Sequence, residues 1–151
     1  MKRLHIHLAV EDLQQNIEFY SHIFAGQPDV RHEDYAKWML EDPRINFAIS
    51  NRSSKLGLDH LGIQVDEEHE LAELKQRLDK TRQPIETQEG AACCYARSDK
   101  HWIIDPQGIA WESFHSLSVI PTFNETKSAA DGENPFACRP VEKKQSSCCG
   151  G

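Results

Sequence analysis

Cations are in deficit in this 151-residue chain: 17 Lys and Arg stand against 24 Asp and Glu, for a net charge of −7. Phosphate backbones and anionic bilayers repel such a surface, so neither nucleic acid nor membrane is an expected partner. Long apolar runs are also missing; none approaches the roughly 20 residues that a membrane-spanning helix needs. The opening MKRLHIHLAVEDLQQ has no apolar centre and no small-residue cleavage site, so no signal peptide is expected. A cytoplasmic location is expected, where thiols stay reduced. Cysteine is scarce and odd in number, at five, which argues against a complete disulfide framework. What remains, 38% hydrophobic and 27% charged residues, suits one globular domain with a real core.

Periodicity divides the chain into two similar halves. RLHIHLAV alternates as a strand, with Leu4, Ile6, Leu8 and Val10 on one face and His5 and His7 on the other. Asp12 is placed to cap a helix with Gln15 as its capping-box partner. Leu13, Ile17, Tyr20 and Phe24 fall on one helical stripe, and Gly26 is placed to end it. YAKWML and RINFAIS follow as strands, and polar NRSSK reads as a linker. The second half repeats the plan. LDHLGIQV is a strand, Asp66 the expected cap, and Leu71, Leu74 and Leu78 a helical face. PIETQ, KHWII and GIAWESF then close the unit, so each half reads βαβββ.

The halves align by residue as well. His5-x-x-Leu8-x-Val10 matches His60-x-x-Ile63-x-Val65, so His5 and His60 correspond. In the closing hairpins Trp38 matches Trp102, Phe47 matches Trp111, and Ala48 stands opposite Glu112. From about Ser116 the periodicity ends, and residues 116–151 read as a mostly disordered tail carrying Cys138, Cys148 and Cys149.

Paired βαβββ modules, and HIHLAVEDLQQNIEFYSHIF as an opening strand and helix, resemble the vicinal oxygen chelate superfamily. That superfamily includes glyoxalase I, extradiol dioxygenases and antibiotic-resistance proteins. The resemblance implies an α+β fold over residues 1–115, with modules of about 1–50 and 57–115 curling one sheet into a cleft. It also implies metal ligands from the first and last strand of each module. Those positions here are His5, Ala48, His60 and Glu112. Two imidazoles and a carboxylate form a facial triad suited to Fe(II), and the alanine leaves coordination positions open. His7 competes with His5, being two residues along on the same strand face; the module alignment favours His5. His22, His32, His69, His101 and His115 have no such match and read as surface or packing residues.

Cys93 and Cys94 are adjacent, following Gly90. Neighbouring Cα atoms are about 3.8 Å apart, below the roughly 4.4–6.8 Å of ordinary disulfides, so the two are not expected to bridge each other. On a loop, two thiols can fork toward one thiophilic atom such as trivalent arsenic. As small buried hydrophobes they need no ligand at all, and the pair alone does not choose between these readings. Taken with LDHLGIQV, ACCYA, DKHW and GIAWESF, the chain is similar to the carbon–arsenic lyases, also called cadmium-induced proteins.

That similarity implies Fe(II)- and dioxygen-dependent cleavage of the carbon–arsenic bond in trivalent organoarsenicals such as methylarsenite. The products would be inorganic arsenite and an oxygenated organic fragment. His5, His60 and Glu112 would hold the iron, and Cys93 and Cys94 the arsenic. Two other readings are a cadmium- or arsenite-sequestering protein without turnover, and an extradiol-type or glyoxalase-like enzyme with incidental cysteines. Either a monomer or a homodimer is expected.

Overall fold

The computed structural model describes residues 1–121. Its elements run β1 (Arg3–Ala9), α1 (Leu13–Ile23), β2 (Val30–Arg31), β3 (Tyr35–Glu41), β4 (Arg44–Ser50), β5 (Gly57–Val65), α2 (Glu68–Asp79), β6 (Glu86–Cys93), β7 (Ala96–Ile104) and β8 (Ala110–Val119). Each half is thus βαβββ, as its periodicity implies. The strands join one eight-stranded sheet in the order β2-β3-β4-β1-β5-β8-β7-β6. β1 pairs with β4 and β5 with β8 in parallel, while β1 and β5 meet antiparallel at the centre. Among the described residues no helix is long and apolar enough to cross a membrane.

The helices cover one face of this sheet. Leu13 and Ile17 of α1 pack with Trp38, Phe47 and Ile49, and Tyr20 and Phe24 lie against the same cluster. Leu71 and Leu74 of α2 pack on Val65. Full burial of one such side chain stabilises by about 1.5–3 kcal/mol, so this layer holds the opposite face in shape.

Several local expectations need correction. Asp12 caps α1 by accepting the Gln15 backbone N–H at 2.9 Å. The left-handed residue that ends α1 is Ala25, at φ 51°, not Gly26; the Gly26 N–H donates to the Ser21 carbonyl. Asp66 does not cap α2, whose N-cap is Glu67 with no side-chain hydrogen bond. Asp66 instead pairs with Arg44 and the chain's amino terminus. β8 extends to Val119, where it pairs with Ala96, beyond the expected start of the tail at Ser116. The remainder of the tail, with Cys138, Cys148 and Cys149, lies outside the described residues.

The match of Trp38 with Trp102 slips by one residue. Trp38 pairs with Phe47, whereas Ile103 pairs with Trp111 and Trp102 with Glu112. In a strand one step changes the face. Trp38 therefore packs beneath the sheet with α1, while Trp102 stands on the open face, its ring 5.1 Å from that of His60.

Candidate metal centre and thiol hairpin

The register of the central strands places the candidate ligands. His5 lies opposite Gly62, and His7 opposite His60. His7 also neighbours Ala48 on β4, just as Gly62 neighbours Glu112 on β8. Exchanging the modules therefore carries His5 onto His60, His7 onto Gly62 and Ala48 onto Glu112. Gly62 has a steric reason to be glycine, since a Cβ there would overlap the Glu112 carbonyl oxygen.

The structure brings His5, His60 and Glu112 together, all buried. The Nε2 atoms of the two histidines are 3.1 Å apart, and Glu112 Oε2 lies 3.9 Å from one and 3.6 Å from the other. Each imidazole is oriented from behind. His5 Nδ1–H donates to the Asn46 carbonyl at 3.0 Å, and His60 Nδ1–H to the Asp59 carboxylate at 2.6 Å. Those bonds fix the tautomers and turn both Nε2 lone pairs inward, the usual support of metal-bound histidine. Two lone pairs and a carboxylate oxygen then face one another. A cation between them would satisfy all three: the 3.1 Å edge matches the roughly 3 Å spacing of cis ligands with bonds of about 2.1 Å, and the edges to Glu112 are wider. The donor set fits a divalent transition metal.

A second donor set overlaps the first. His5, His7 and His60 offer nitrogens all within 4.8 Å of one another. His7, however, has Nε2 2.9 Å from Ser50 Oγ, and its Nδ1 has no hydrogen-bond partner among the described residues. Ser50 thus fixes its ring as Asn46 and Asp59 fix the other two, but through Nε2, so Nδ1 is the atom His7 could offer.

Electrostatics match the geometry. Burial and the neighbouring His60 charge hold His5 down at about 4, and the same causes hold His7 at about 3. Burial alone would lower His60, but Asp59 and Glu112 outweigh it and raise its pKa. Burial likewise opposes ionisation of Glu112, yet Lys100, His60 and His5 keep its carboxyl well below the usual range. Lys100 Nζ donates to the outer oxygen, Glu112 Oε1, at 2.6 Å.

The cysteines occupy a hairpin rather than the expected loop. Cys93 ends β6, and Cys94 and Tyr95 form the two-residue connection to β7 with φ of 56° and 61°. Their Sγ atoms are 2.9 Å apart, so the side chains do fork to one side. The hairpin tip crosses to the first module. Cys94 and Tyr95 pack against Tyr35 and Ala48, beside the triad. Burial pushes the Cys94 thiol up to about 12. The charges of Lys100, Glu112, Asp59 and Lys37 all reach it.

Sequence reasoning left Lys100, Asp59 and Tyr35 without roles. Lys100 stands within the quoted DKHW and Asp59 directly precedes His60. Isolated charges in a strand otherwise look like a solvated edge. Tyr35 is buried on the cleft face, where burial and the charges of Cys94 and Glu112 raise its pKa. His32 is a packing residue, as expected, with its ring stacked on Tyr95 at 3.4 Å.

Known proteins are similar in sequence and in fold. A trivalent organoarsenical cleaving enzyme from Bacillus sp. (strain MD1) is 35% identical over 161 residues, covering 99% of both chains. The cadmium-induced protein CadI of Mycobacterium tuberculosis is 31% identical over 142 residues, covering 91% of this chain and 93% of the relative. In structure, an extradiol ring-cleaving dioxygenase from B. fuscum superposes with a TM-score of 0.59 at 15% identity. The match covers 78% of this chain and 33% of that one, which bears on the fold alone. The family model matches residues 2–113, and the chain belongs to the Glyoxalase/Bleomycin resistance protein/Dioxygenase superfamily.

Proposed function

We propose that this protein is an Fe(II)- and dioxygen-dependent enzyme that cleaves the carbon–arsenic bond of trivalent organoarsenicals, releasing inorganic arsenite. The observation that carries this reading is the packing of Cys94 against the cluster of Tyr35 and Ala48, the latter the counterpart of candidate ligand Glu112. A substrate held by the thiol pair therefore lies beside the triad, on the side where the first module supplies no ligand. The names of the relatives, organoarsenical cleaving enzyme and cadmium-induced protein, point the same way.

His5, His60 and Glu112 would hold the iron, whose contribution when bound is one-electron chemistry with dioxygen. The remaining steps belong to the chain. Once both are in the thiol form, Cys93 and Cys94 would condense with an organoarsenous acid, R–As(OH)2. Each S–H gives its proton to an arsenic-bound hydroxyl, two As–S bonds replace two As–O bonds, and two waters leave. No electron is transferred in that step. A thiol pushed up to about 12, as Cys94 is, stays protonated and resists oxidation while waiting for substrate. Chelation leaves the carbon substituent as the one group on arsenic free to reach toward the triad, and fixes it there. Lys100 holds Glu112 ionised, and Asp59 and Asn46 keep both imidazoles aimed inward.

The test begins with anaerobic, reduced protein loaded with Fe(II) and given methylarsenite. Admission of air should release stoichiometric and then catalytic arsenite. Tight uptake of methylarsenite without arsenite release would favour the sequestering protein. Turnover of a catechol or a thiohemiacetal, with Cys94→Ser fully active, would favour the extradiol or glyoxalase-like reading.

A further inference from the structure

The hairpin that carries the thiols rests on an unfavourable turn. A two-residue connection with positive φ at both positions is a type I′ turn, a place that Asn and Gly occupy without strain. Here Cys94 and Tyr95 fill it, and both carry a Cβ. A strained turn persists only where its surroundings hold it. The surroundings are specific, and they lie in the other module. The Tyr95 hydroxyl donates to Asp34 Oδ1 at 2.5 Å. Its ring lies on that of His32, with centroids 3.4 Å apart and planes 12° from parallel. Asp34 is itself fixed by an ion pair with Arg52, in the segment that links the modules. The Ile120 N–H donates to the Tyr95 carbonyl at 2.9 Å, which ties the far side of the turn to the end of β8.

We infer that Tyr95 is the positioning residue of the arsenic clamp, latched by Asp34 and His32 so that Cys94 is held against the Tyr35 and Ala48 cluster. The inference rests on the proposed function and assigns a task to a segment that it leaves idle. The Tyr95 side chain reaches Asp34 and His32 of the first module, neither of them a candidate metal ligand. It bridges the modules, so it sets where the thiols sit relative to a triad drawn from both. A glycine at position 95 would suit the turn better and would lose the latch. The native residue therefore gives up local backbone comfort for a contact across the cleft.

That contrast supplies the experiment. Phenylarsine oxide, a monoaryl trivalent arsenical that two sulfurs chelate, is titrated calorimetrically into reduced protein. Co(II) binding, followed by its visible absorption, and the unfolding temperature are measured alongside. Wild-type protein should bind one phenylarsine oxide. Tyr95→Phe, which keeps the stack and loses the hydroxyl, should bind about tenfold more weakly. Tyr95→Gly, which exchanges the latch for an unstrained turn, should stay folded with a cooperative unfolding transition and bind Co(II) normally, yet hold the arsenical about a hundredfold more weakly. Wild-type arsenical affinity in Tyr95→Gly would overturn the latch and leave the clamp intact. Parallel loss of Co(II) and arsenical in that variant would also overturn it, because Tyr95 would then act through the fold as a whole. Failure of wild-type protein to take up phenylarsine oxide at all would remove the clamp and, with it, the proposed function.

Discussion

The two modules share a backbone plan and divide the chemistry unequally. Equivalent strand positions hold His5 and His60, a pair of imidazoles kept alike. Elsewhere the first module has Ala48 where the second has Glu112, Tyr35 where it has Lys100, and His7 where it has Gly62. The second module supplies the charged candidate ligand, the cation that holds it ionised and the thiol hairpin. The first supplies one imidazole, an open wall and the docking point for that hairpin. The modules build a near-symmetric cleft, and under the proposed function the differences at a few inward positions make one side the ligand set and the other the substrate wall.

The largest effect should follow from making the second module resemble the first. Glu112→Ala removes the one anionic member of the triad and should abolish Fe(II) binding. It also strands Lys100, which is only 3% exposed. Breaking a buried ion pair typically costs about 3–5 kcal/mol, because a bare charge is left behind. Urea denaturation of the metal-free variant should show that loss. Adding Lys100→Met should return much of the stability without returning the metal. If Glu112→Ala is as stable as wild type, the ion pair is not what the buried geometry implies.

Gly62 and His7 test the same equivalence at a smaller scale. A Cβ at Gly62 meets the Glu112 carbonyl, so Gly62→Ala should cost about 1–3 kcal/mol as an overpacked site and weaken metal binding by moving β8. His7→Ala trims the counterpart position and should leave Co(II) affinity close to wild type, whereas His5→Ala should lose it. An equal loss in both histidine variants would draw His7 into the ligand set.

Most of this asymmetry was legible from residues alone. Alternation in RLHIHLAV and LDHLGIQV placed His5 against His60, and the closing strands placed Ala48 against Glu112. What escaped did so for physical reasons. β2 has two residues, too few for any period. The thiol turn lacks the glycine or asparagine that announces a type I′ hairpin, because contacts from another module stabilise it. The Trp38 and Trp102 match followed residue identity, whereas a one-residue difference in hairpin register reverses the face. Lys100 carries the polarity of a surface residue, and only its pairing with Glu112 explains its burial.

Proton binding should separate the modules next. In the metal-free protein His5 is held at about 4 and His7 at about 3, against about 6.5 in an unfolded chain. Between those values the unfolded state binds more protons, so these groups remove stability as pH falls below 6.5. His60 acts in the opposite sense. Its raised folded pKa gives stability that is present at low pH and lost as pH rises through that value. With two groups against one, the metal-free protein should be less stable at pH 5 than at pH 7, by on the order of 2 kcal/mol. His7→Ala should flatten the slope, and a stability curve that rises toward acid would mean that the first module's histidines are not buried neutral.

The smallest expected effect lies at the helix starts, where Asp12 and Asp66 look alike in sequence and act differently. Asp12 accepts a backbone N–H of α1 at 2.9 Å, satisfying one of the donors that the first turn leaves open. Asp66 makes exposed ion pairs to Arg44 and the amino terminus, each at 3.2 Å. Removing a true cap costs about 1 kcal/mol, whereas exposed pairs contribute a few tenths and are screened by salt. Asp12→Ala should therefore lower the urea midpoint more than Asp66→Ala, and its effect should persist in molar salt while that of Asp66→Ala fades. Asn caps as well as Asp, so Asp12→Asn should restore most of what alanine loses. An equal, salt-insensitive loss at both positions would place a working cap on α2 as well, and the helix starts of the two modules would then be equivalent after all.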